Sequence, residues 1–467
     1  MLLGHHMSNR DSHGNRDMID GLHPSQEQVG SFACGRDHVV DGSPCTASSD
    51  DGDLSAHVRT SALNVVFGGL PVRRAVLRML GITTALAALE TIMPLGMLEA
   101  MAQEKAVPEK AELSVGFITI SCCTPLVVAD NLGMFRENGL DVELVRTPSW
   151  GVVRERLQGG QYEASHVLSP LPLAMTMGLR GAAHPTSVAL IQNTNGNSLT
   201  LALKHQDKRD PKSWKGMTFA VPFEISMHNL LLRYYLAEHG VDPEQDVTIR
   251  VVPPPEMVAN IKVGILDGFL APDNVAQMAV HTGTGYIHTL SRDLWAGHPC
   301  CGFGLSDAFI KSAPNTYLAL TRSMVKASAH VAKAENRKDA AKIIAQPRYL
   351  NAPVEVTEAV LTGNFDDGLG NKRSVPDRID FQPFPYQSMA VWMLTQMRRW
   401  GQISGDVGYK QIAEQVFRAV DAHKLLKEAG LAAPSSPYAT HEIMGKAFDA
   451  DNADAYLKAL GSGDHDT

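Results

Sequence analysis

From Leu113 onwards, short β-rich runs alternate with segments of helical periodicity. Residues 113–120 are predicted to form the first strand and residues 124–138 the first helix. This pairing of strand and helix repeats through the middle of the chain, and from Pro314 the pattern becomes mostly helical. Alternation of this kind predicts an α/β fold with parallel sheets.

Two sheet-forming halves followed by a helical return predict two lobes, joined by hinge strands, that close on a ligand. The predicted ranges are 111–204 for the first part of lobe 1, 205–310 for lobe 2, 311–430 for the return to lobe 1 with the C-terminal helices, and 431–467 for a tail.

An export signal is predicted before the first strand. Adjacent arginines at 73–74 precede an apolar run at 79–89, and residues 100–102 have the small-x-small pattern of a cleavage site. The twin arginine over residues 73–102 favours the route for folded proteins and a periplasmic location. An amphipathic helix that begins with two arginines is the alternative. Residues 1–72 are predicted to be a disordered leader or the product of a start codon assigned too early.

Charge and motif spacing exclude several functions. The net charge is −8, and no basic cluster with interleaved aromatic residues occurs, so no nucleic-acid partner is expected. Residues 103–467 contain no Ser/His/Asp set, phosphate-binding glycine loop or His-rich metal motif at diagnostic spacing. The sequence therefore predicts no catalytic residue, no metal and no cofactor.

Two adjacent cysteine pairs, Cys122-Cys123 and Cys300-Cys301, lack the C-x-x-C spacing of zinc and redox motifs. They are interpreted either as buried free thiols or as a bridge between one member of each pair in an oxidising compartment. A bridge from Cys122 to Cys301 across the lobes would lock the closed form, which argues against it in a protein that opens and closes.

Polar and aromatic side chains follow the predicted strands. Open α/β sheets bind ligands in the crevice beyond the carboxyl ends of their strands. Hydroxyl, amide, indole and imidazole groups at these points suit a small polar or anionic ligand, and helix N-termini at two of them add N–H donors. The candidate binding residues on this basis are Cys122, Thr124, Trp150, His166, Asn197, His228 and Asp273.

Four segments of the chain, at 149–151, 165–172, 227–236 and 251–260, resemble the nitrate/bicarbonate-binding proteins of ABC transporters. The same superfamily includes taurine and sulfonate binders. The resemblance implies a two-lobe type II periplasmic binding-protein fold with no enzymatic activity. It also implies delivery of a small anion or polar solute to permease subunits that work with a cytoplasmic ATPase.

The resemblance also assigns individual residues. The family's pocket tryptophan and histidine match Trp150 and His228, and its pocket amide falls on Asn197. The glycine-acidic-proline turn corresponds loosely to the segment that ends at Asp273, and the family lysine that faces nitrate falls on Cys301. A cysteine supplies no fixed positive charge, so the identity of the ligand within the class stays open.

Two other functions fit the same fold. A ligand sensor would bind the solute and signal to a partner, but cytoplasmic sensors of this type lack an export signal. An enzyme of the thiamine-pyrimidine-synthesis type would need a longer cysteine-rich segment than Cys122-Cys123 and a cofactor-binding lysine near His228, and the sequence has neither.

Overall fold

Two mixed β-sheets organise residues 106–461, the part of the chain that the computed structural model describes. One sheet has six strands and forms lobe 1, and the other has five strands and forms lobe 2. The strands are β1 (Glu112–Phe117), β2 (Asp141–Arg146), β3 (Ala164–Leu168), β4 (Thr186–Asn195), β5 (Asn197–Ala202), β6 (Thr218–Val221), β7 (Thr248–Val251), β8 (Gly268–Pro272), β9 (Gly285–Leu290), β10 (Pro299–Ser306), β11 (Asn364–Asp366), β12 (Lys372–Ser374), β13 (Ile379–Asp380), β14 (His441–Ile443) and β15 (Lys446–Phe448).

The lobe 1 sheet has the order β13-β4-β10-β3-β1-β2, and the lobe 2 sheet has the order β7-β6-β8-β5-β9. β1 pairs in parallel with β2 and β3, and β6 pairs in parallel with β7 and β8. β10 and β5 run antiparallel to their neighbours. The predicted two-lobe α/β fold is confirmed, and its sheets are mixed, with antiparallel strands beside the predicted parallel ones. By β5 and β10 the chain enters lobe 2 and returns to lobe 1, and the short strand β13 also pairs antiparallel with β4.

Helices cover both sheets and form the predicted C-terminal return. The predicted first helix, 124–138, is shorter than expected because the chain turns at Gly133, which has a left-handed φ of 73°. The helices are α1 (Thr124–Asn131), α2 (Trp150–Gln158), α3 (Leu171–Thr176), α4 (Met227–Glu238), α5 (Pro254–Lys262), α6 (Asp273–His281), α7 (Ser291–Leu294), α8 (Asp307–Ser312), α9 (Pro314–Ala332), α10 (Arg337–Ala345), α11 (Val354–Thr362), α12 (Gln387–Arg399), α13 (Tyr409–Val416), α14 (Ala419–Glu428) and α15 (Ala453–Ala459).

The chain changes lobes earlier than the predicted ranges place the change. β5 pairs with β8 and β9 of lobe 2, although the range 111–204 assigns it to lobe 1. β10 pairs with β3 and β4 of lobe 1, although the range 205–310 assigns it to lobe 2. Hydrophobic patterning locates a strand but carries no information about the sheet that the strand joins.

The range predicted as a tail contains folded structure. Within 431–461, β14 and β15 form a hairpin, and Ile443 and Phe448 are buried in the apolar cluster that contains Trp392 of α12. The ranges 1–72 and 73–102 lie outside the described residues. Within the described part of the chain, no helix is long and apolar enough to span a membrane.

The apolar core is divided among several clusters. The largest joins lobe 2 to the C-terminal helices through Trp214, Trp295 and Trp392. A second packs α1 and α9 against the lobe 1 sheet, and a smaller third one contains Trp150 together with three cysteines. This third cluster lies at the ends of lobe 1 strands, where the sequence predicts the binding site.

Gly196 is the single residue between β4 of lobe 1 and β5 of lobe 2. Its φ is 81°, and a Cβ there would lie 2.8 Å from Asn193 Nδ2 and 2.8 Å from Ile379 Cγ1. We expect Gly196→Ala to lower the free energy of unfolding by roughly 2–4 kcal/mol, because a left-handed conformation and a steric clash both oppose the methyl group. Urea denaturation measures this loss.

Gly216→Ala is the matched control for this substitution. Gly216 has a similar φ of 83°, but nothing lies within 4 Å of a Cβ placed there. The control is expected to lose only the conformational part, about 1–2 kcal/mol. Equal losses in the two variants would show that the junction between the lobes tolerates the methyl group.

Candidate functional site

Trp150 and His166 form the lobe 1 wall of the candidate site. Ser149 caps α2 by accepting a hydrogen bond from the backbone N–H of Val152, which places Trp150 at the helix start. The indole packs edge-on against His166, with 5.3 Å between ring centroids. Both side chains are buried. The indole Nε1 and both imidazole nitrogens have no hydrogen-bond partner among residues 106–461.

Three cysteine side chains meet beside this wall. Cys122 lies in the 3₁₀ turn after β1, and Cys300 and Cys301 lie on β10. Cys300 Sγ is 3.6 Å from Cys122 Sγ and 3.6 Å from Cys301 Sγ. Register shifts on both sides of Cys301 mark a β-bulge, which turns two consecutive side chains towards the same side of the strand.

A bridge from Cys122 to Cys301, which is not expected from the sequence, would not cross the lobes, because both residues belong to the lobe 1 sheet or the turn that follows its first strand. The four cysteines of the described chain are free. The 3.6 Å contacts of Cys300 are well beyond the sulfur–sulfur distance of about 2.05 Å in a disulfide.

Lobe 2 reaches the cysteines through two side chains. Asn197 opens β5, and its Oδ1 lies 3.4 Å from Cys300 Sγ. His228 lies in the first turn of α4, with Nε2 3.9 Å from the same sulfur. Both residues are fully buried, and Asn197 Nδ2 and His228 Nδ1 have no hydrogen-bond partner in the described residues. Cys300 is therefore the point at which the candidate residues of the two lobes meet.

The three thiols differ in their pKa values. Burial raises the pKa values of Cys122 and Cys301 well above the ordinary value. Burial also opposes ionisation of Cys300, but hydrogen bonds from Cys122 and Cys301 and the nearby ring of His228 outweigh it and hold the Cys300 pKa well below the ordinary value. The first thiolate of this cluster is therefore expected at Cys300.

Asp273 does not face the site as a free carboxylate. It accepts hydrogen bonds from Ser198 and from Arg378, whose Nε lies 3.0 Å from Asp273 Oδ2, and Arg378 Nη1 donates to Gln277. Asp273 and Arg378 are both fully buried. An unpaired Asp273 carboxylate would disfavour the binding of an anionic solute, but Arg378 neutralises its charge. Arg378 was not predicted, because an isolated arginine in an irregular segment carries no local pattern.

Thr124 has a structural role at the turn after β1. Its Oγ1 donates to Ser121 O at 2.6 Å, so the hydroxyl is used within its own turn. The neighbouring Ser121 instead makes a contact between the lobes. Its backbone N–H and hydroxyl both donate to Asn274 Oδ1 in α6, at 3.1 and 3.3 Å. The two lobes are thus hydrogen-bonded to each other at the edge of the site.

Buried histidines predict acid sensitivity of the fold. Burial lowers the pKa of His166 to about 3 and that of His298 to about 4. Between these values and the ordinary pKa of about 6.5, the unfolded chain binds more protons than the folded chain. Stability should therefore be fully present above about pH 6.5 and fall as the pH drops towards 4, by up to about 1.4 kcal/mol per pH unit for each histidine.

Urea denaturation at a series of pH values measures this slope. His166→Leu removes one of the buried histidines and should make the slope shallower by up to about 1.4 kcal/mol per pH unit. His281→Leu, at an exposed position, is the matched control. An unchanged slope in His166→Leu would show that His166 does not contribute to the acid sensitivity.

Comparison with known proteins gives consistent matches. The model of the NMT1-like family matches residues 106–345. The nitrate import ATP-binding protein NrtC of Synechocystis sp. PCC 6803 is 32% identical over 334 residues, which cover 66% of this chain and 49% of that protein. The nitrate/nitrite binding protein NrtA of Nostoc sp. PCC 7120 is 30% identical over 385 residues, which cover 75% of this chain and 86% of that protein.

A solved structure agrees with these matches. The crystal structure of the periplasmic nitrate-binding protein NrtA from Synechocystis PCC 6803 superposes with a TM-score of 0.74 and 27% identity. The superposition covers 76% of this chain and 100% of that one. The chain thus spans about half the length of the NrtC relative and most or all of the two NrtA proteins.

Proposed function

The chain belongs to the NMT1-like family, and on that premise we propose that it is the solute-binding component of an ABC importer. It closes around a small anion or small polar solute of the nitrate, bicarbonate and sulfonate class and delivers it to permease subunits that work with a cytoplasmic ATPase. It does so in the periplasm, after export through the signal at residues 73–102. No chemical step is part of this function.

The observation that carries the proposal is the set of unpartnered polar atoms on both sides of Cys300. Trp150 Nε1 and His166 contribute from lobe 1, and Asn197 Nδ2 and His228 Nδ1 contribute from lobe 2. A buried polar group without a hydrogen bond costs about 1–3 kcal/mol. A solute with several oxygen atoms, held between the lobes, would accept from the indole and amide N–H groups, which can only donate.

Electrostatics favours hydrogen bonding over an ion pair as the means of holding the solute. Arg378 is neutralised by Asp273, and no lysine is among the buried residues of the described chain. Asn193, directly opposite Cys301 on β4, also has an unpartnered acceptor, its Oδ1. A bicarbonate hydroxyl can donate to such an acceptor and nitrate cannot, so we expect bicarbonate to bind more tightly than nitrate.

The alternative of a thiamine-pyrimidine-synthesis enzyme receives no support from the site. Such an enzyme needs a lysine for its cofactor beside the histidine, and the buried residues of the described part of the chain include none. The remaining alternative, a ligand sensor, would bind the same solute at the same residues and differs only in its partner.

A thermal-shift screen of the purified chain tests the proposal. The panel is nitrate, nitrite, bicarbonate with and without calcium, taurine, alkanesulfonates and thiamine precursors, with chloride at equal ionic strength as the control. A solute present at 100 times its Kd stabilises the folded state by about 2.7 kcal/mol, which raises the melting temperature. A panel on which no solute exceeds chloride would contradict the proposal.

A further inference from the structure

The sulfur atoms of Cys122, Cys300 and Cys301 all lie within 4.8 Å of one another and are completely buried. They come from two separate places in lobe 1, the turn after β1 and the bulge of β10. Cys123, the fourth cysteine of the described residues, is outside this group, and its thiol donates a hydrogen bond to Ile120 O. His228 faces the group from lobe 2.

The distances from Cys300 Sγ to its neighbours are close to those between the ligands of a tetrahedral metal site. Thiolates bound to Zn²⁺ at about 2.3 Å in a tetrahedron lie about 3.8 Å apart, and a histidine nitrogen lies about 3.5 Å from each sulfur. Cys300 Sγ is 3.6 Å from both other sulfurs and 3.9 Å from His228 Nε2. Ordinary packing of thiols against apolar side chains does not require three sulfurs within 4.8 Å of one another, with an imidazole nitrogen beside the central one.

We propose that Cys122, Cys300 and Cys301 bind one thiophilic closed-shell metal ion, Zn²⁺ or Cu⁺, with His228 Nε2 as the fourth ligand. Soft thiolate ligands select these ions over Mg²⁺ and Ca²⁺. On binding, each thiol that forms a metal–sulfur bond releases its proton to solvent, and no oxidation occurs. This site goes beyond solute binding and does not depend on which solute the protein carries.

The metal and the solute use different atoms of His228. Nε2 points to Cys300, whereas Nδ1 has no partner in the described chain. A histidine that ligates a metal through one nitrogen commonly donates a hydrogen bond from the other. Three ligands come from lobe 1 and one from lobe 2, so the ion would hold the lobes together in the closed arrangement.

Cobalt substitution tests the proposal on the full-length reduced protein. Co²⁺ replaces Zn²⁺ in tetrahedral thiolate sites and gives a thiolate-to-metal charge-transfer absorption together with intense visible bands. Cys34 and Cys45 are replaced by serine in every sample, so that any thiolate band arises from residues 122, 123, 300 and 301. We expect one Co²⁺ per chain with both features. Displacement by Zn²⁺, or by Cu⁺ in a parallel titration against a copper chelator, distinguishes the two ions.

Cys300→Ser is expected to abolish the charge-transfer band. It should also weaken metal binding by more than about 100-fold, because loss of a contact outside the ligand set typically costs about 10–100-fold and Cys300 is a ligand. Cys123→Ser is the matched control in the same buried region and should keep both the band and the affinity. His228→Gln should keep the charge-transfer band but change the visible bands, because the three sulfurs remain.

The outcomes separate this proposal from the solute-binding function. A parent protein that melts cooperatively and gives no thiolate band with Co²⁺ would overturn the metal site, whatever the solute screen gives. A band that survives in both Cys300→Ser and Cys122→Ser would also overturn it. If Cys300→Ser does not fold, Cys301→Ser gives the same test, since Cys301 is a ligand in the proposal as well.

Discussion

Replacing Arg378 by methionine is expected to lower the free energy of unfolding by roughly 3–5 kcal/mol, a large fraction of the stability of most domains. Methionine keeps much of the arginine stem and removes the guanidinium. Asp273 is fully buried and would keep only the hydrogen bond from Ser198, so its charge would be left without a counter-ion. Urea denaturation monitored by circular dichroism gives the loss.

Two further variants identify the cause of that loss. Asp273→Asn with Arg378→Met removes both charges, and the double variant should recover part of the stability, because no unpaired charge remains buried. Arg292→Met is the matched surface control. Arg292 pairs with Asp377 at 2.8 Å, but both side chains are partly exposed, so its loss should be below about 1 kcal/mol. Equal losses in Arg378→Met and Arg292→Met would contradict the role assigned to the buried pair.

Trp150→Phe is expected to weaken solute binding by about 10–150-fold, with a smaller change in the stability of the unliganded protein. Phenylalanine keeps an aromatic ring against His166 and removes the indole N–H, which has no partner within the described residues. A hydrogen bond to a charged acceptor contributes about 1.5–3 kcal/mol, which corresponds to that range of affinity. The dependence of the melting temperature on solute concentration measures the change.

Trp400→Phe is the matched control, because it makes the same substitution away from the candidate site. Its indole Nε1 is also buried and without a partner among residues 106–461, but Trp400 packs against the cluster of the C-terminal helices. Its replacement should leave solute affinity unchanged. If both variants bind the solute as tightly as the parent protein, the Trp150 indole is not part of the binding site.

Hydrophobic periodicity and the cap residues were sufficient to predict the α/β alternation, since these signals are local. The predicted strand at 113–120 and helix at 124–138 are both present, as Glu112–Phe117 and Thr124–Asn131. The antiparallel direction of β5 and β10 could not be predicted, because a buried strand has the same pattern in either direction. It depends on where the chain crosses between lobes, as at Gly196.

The sequence predicted several residues of the candidate site but not the cysteine that lies between them. The predicted strand ends and the family resemblance singled out Trp150, His166, Asn197, His228 and Cys301, and the structure brings them together. Their common neighbour was missed. Alternation along a strand would direct adjacent side chains to opposite faces, and only the bulge in β10 places Cys300 beside Cys301. Likewise, the partner of Asp273 lies 105 residues away in the sequence.

Calorimetric titration of the purified chain with bicarbonate, and separately with nitrate, tests most directly whether this protein binds a small anion between its lobes. We expect saturable binding at one site per chain, tighter for bicarbonate, and weakened in Trp150→Phe but not in Trp400→Phe. A folded protein that binds neither anion, or a Trp150→Phe variant that binds them as tightly as the parent protein, would show that these residues do not form an anion site.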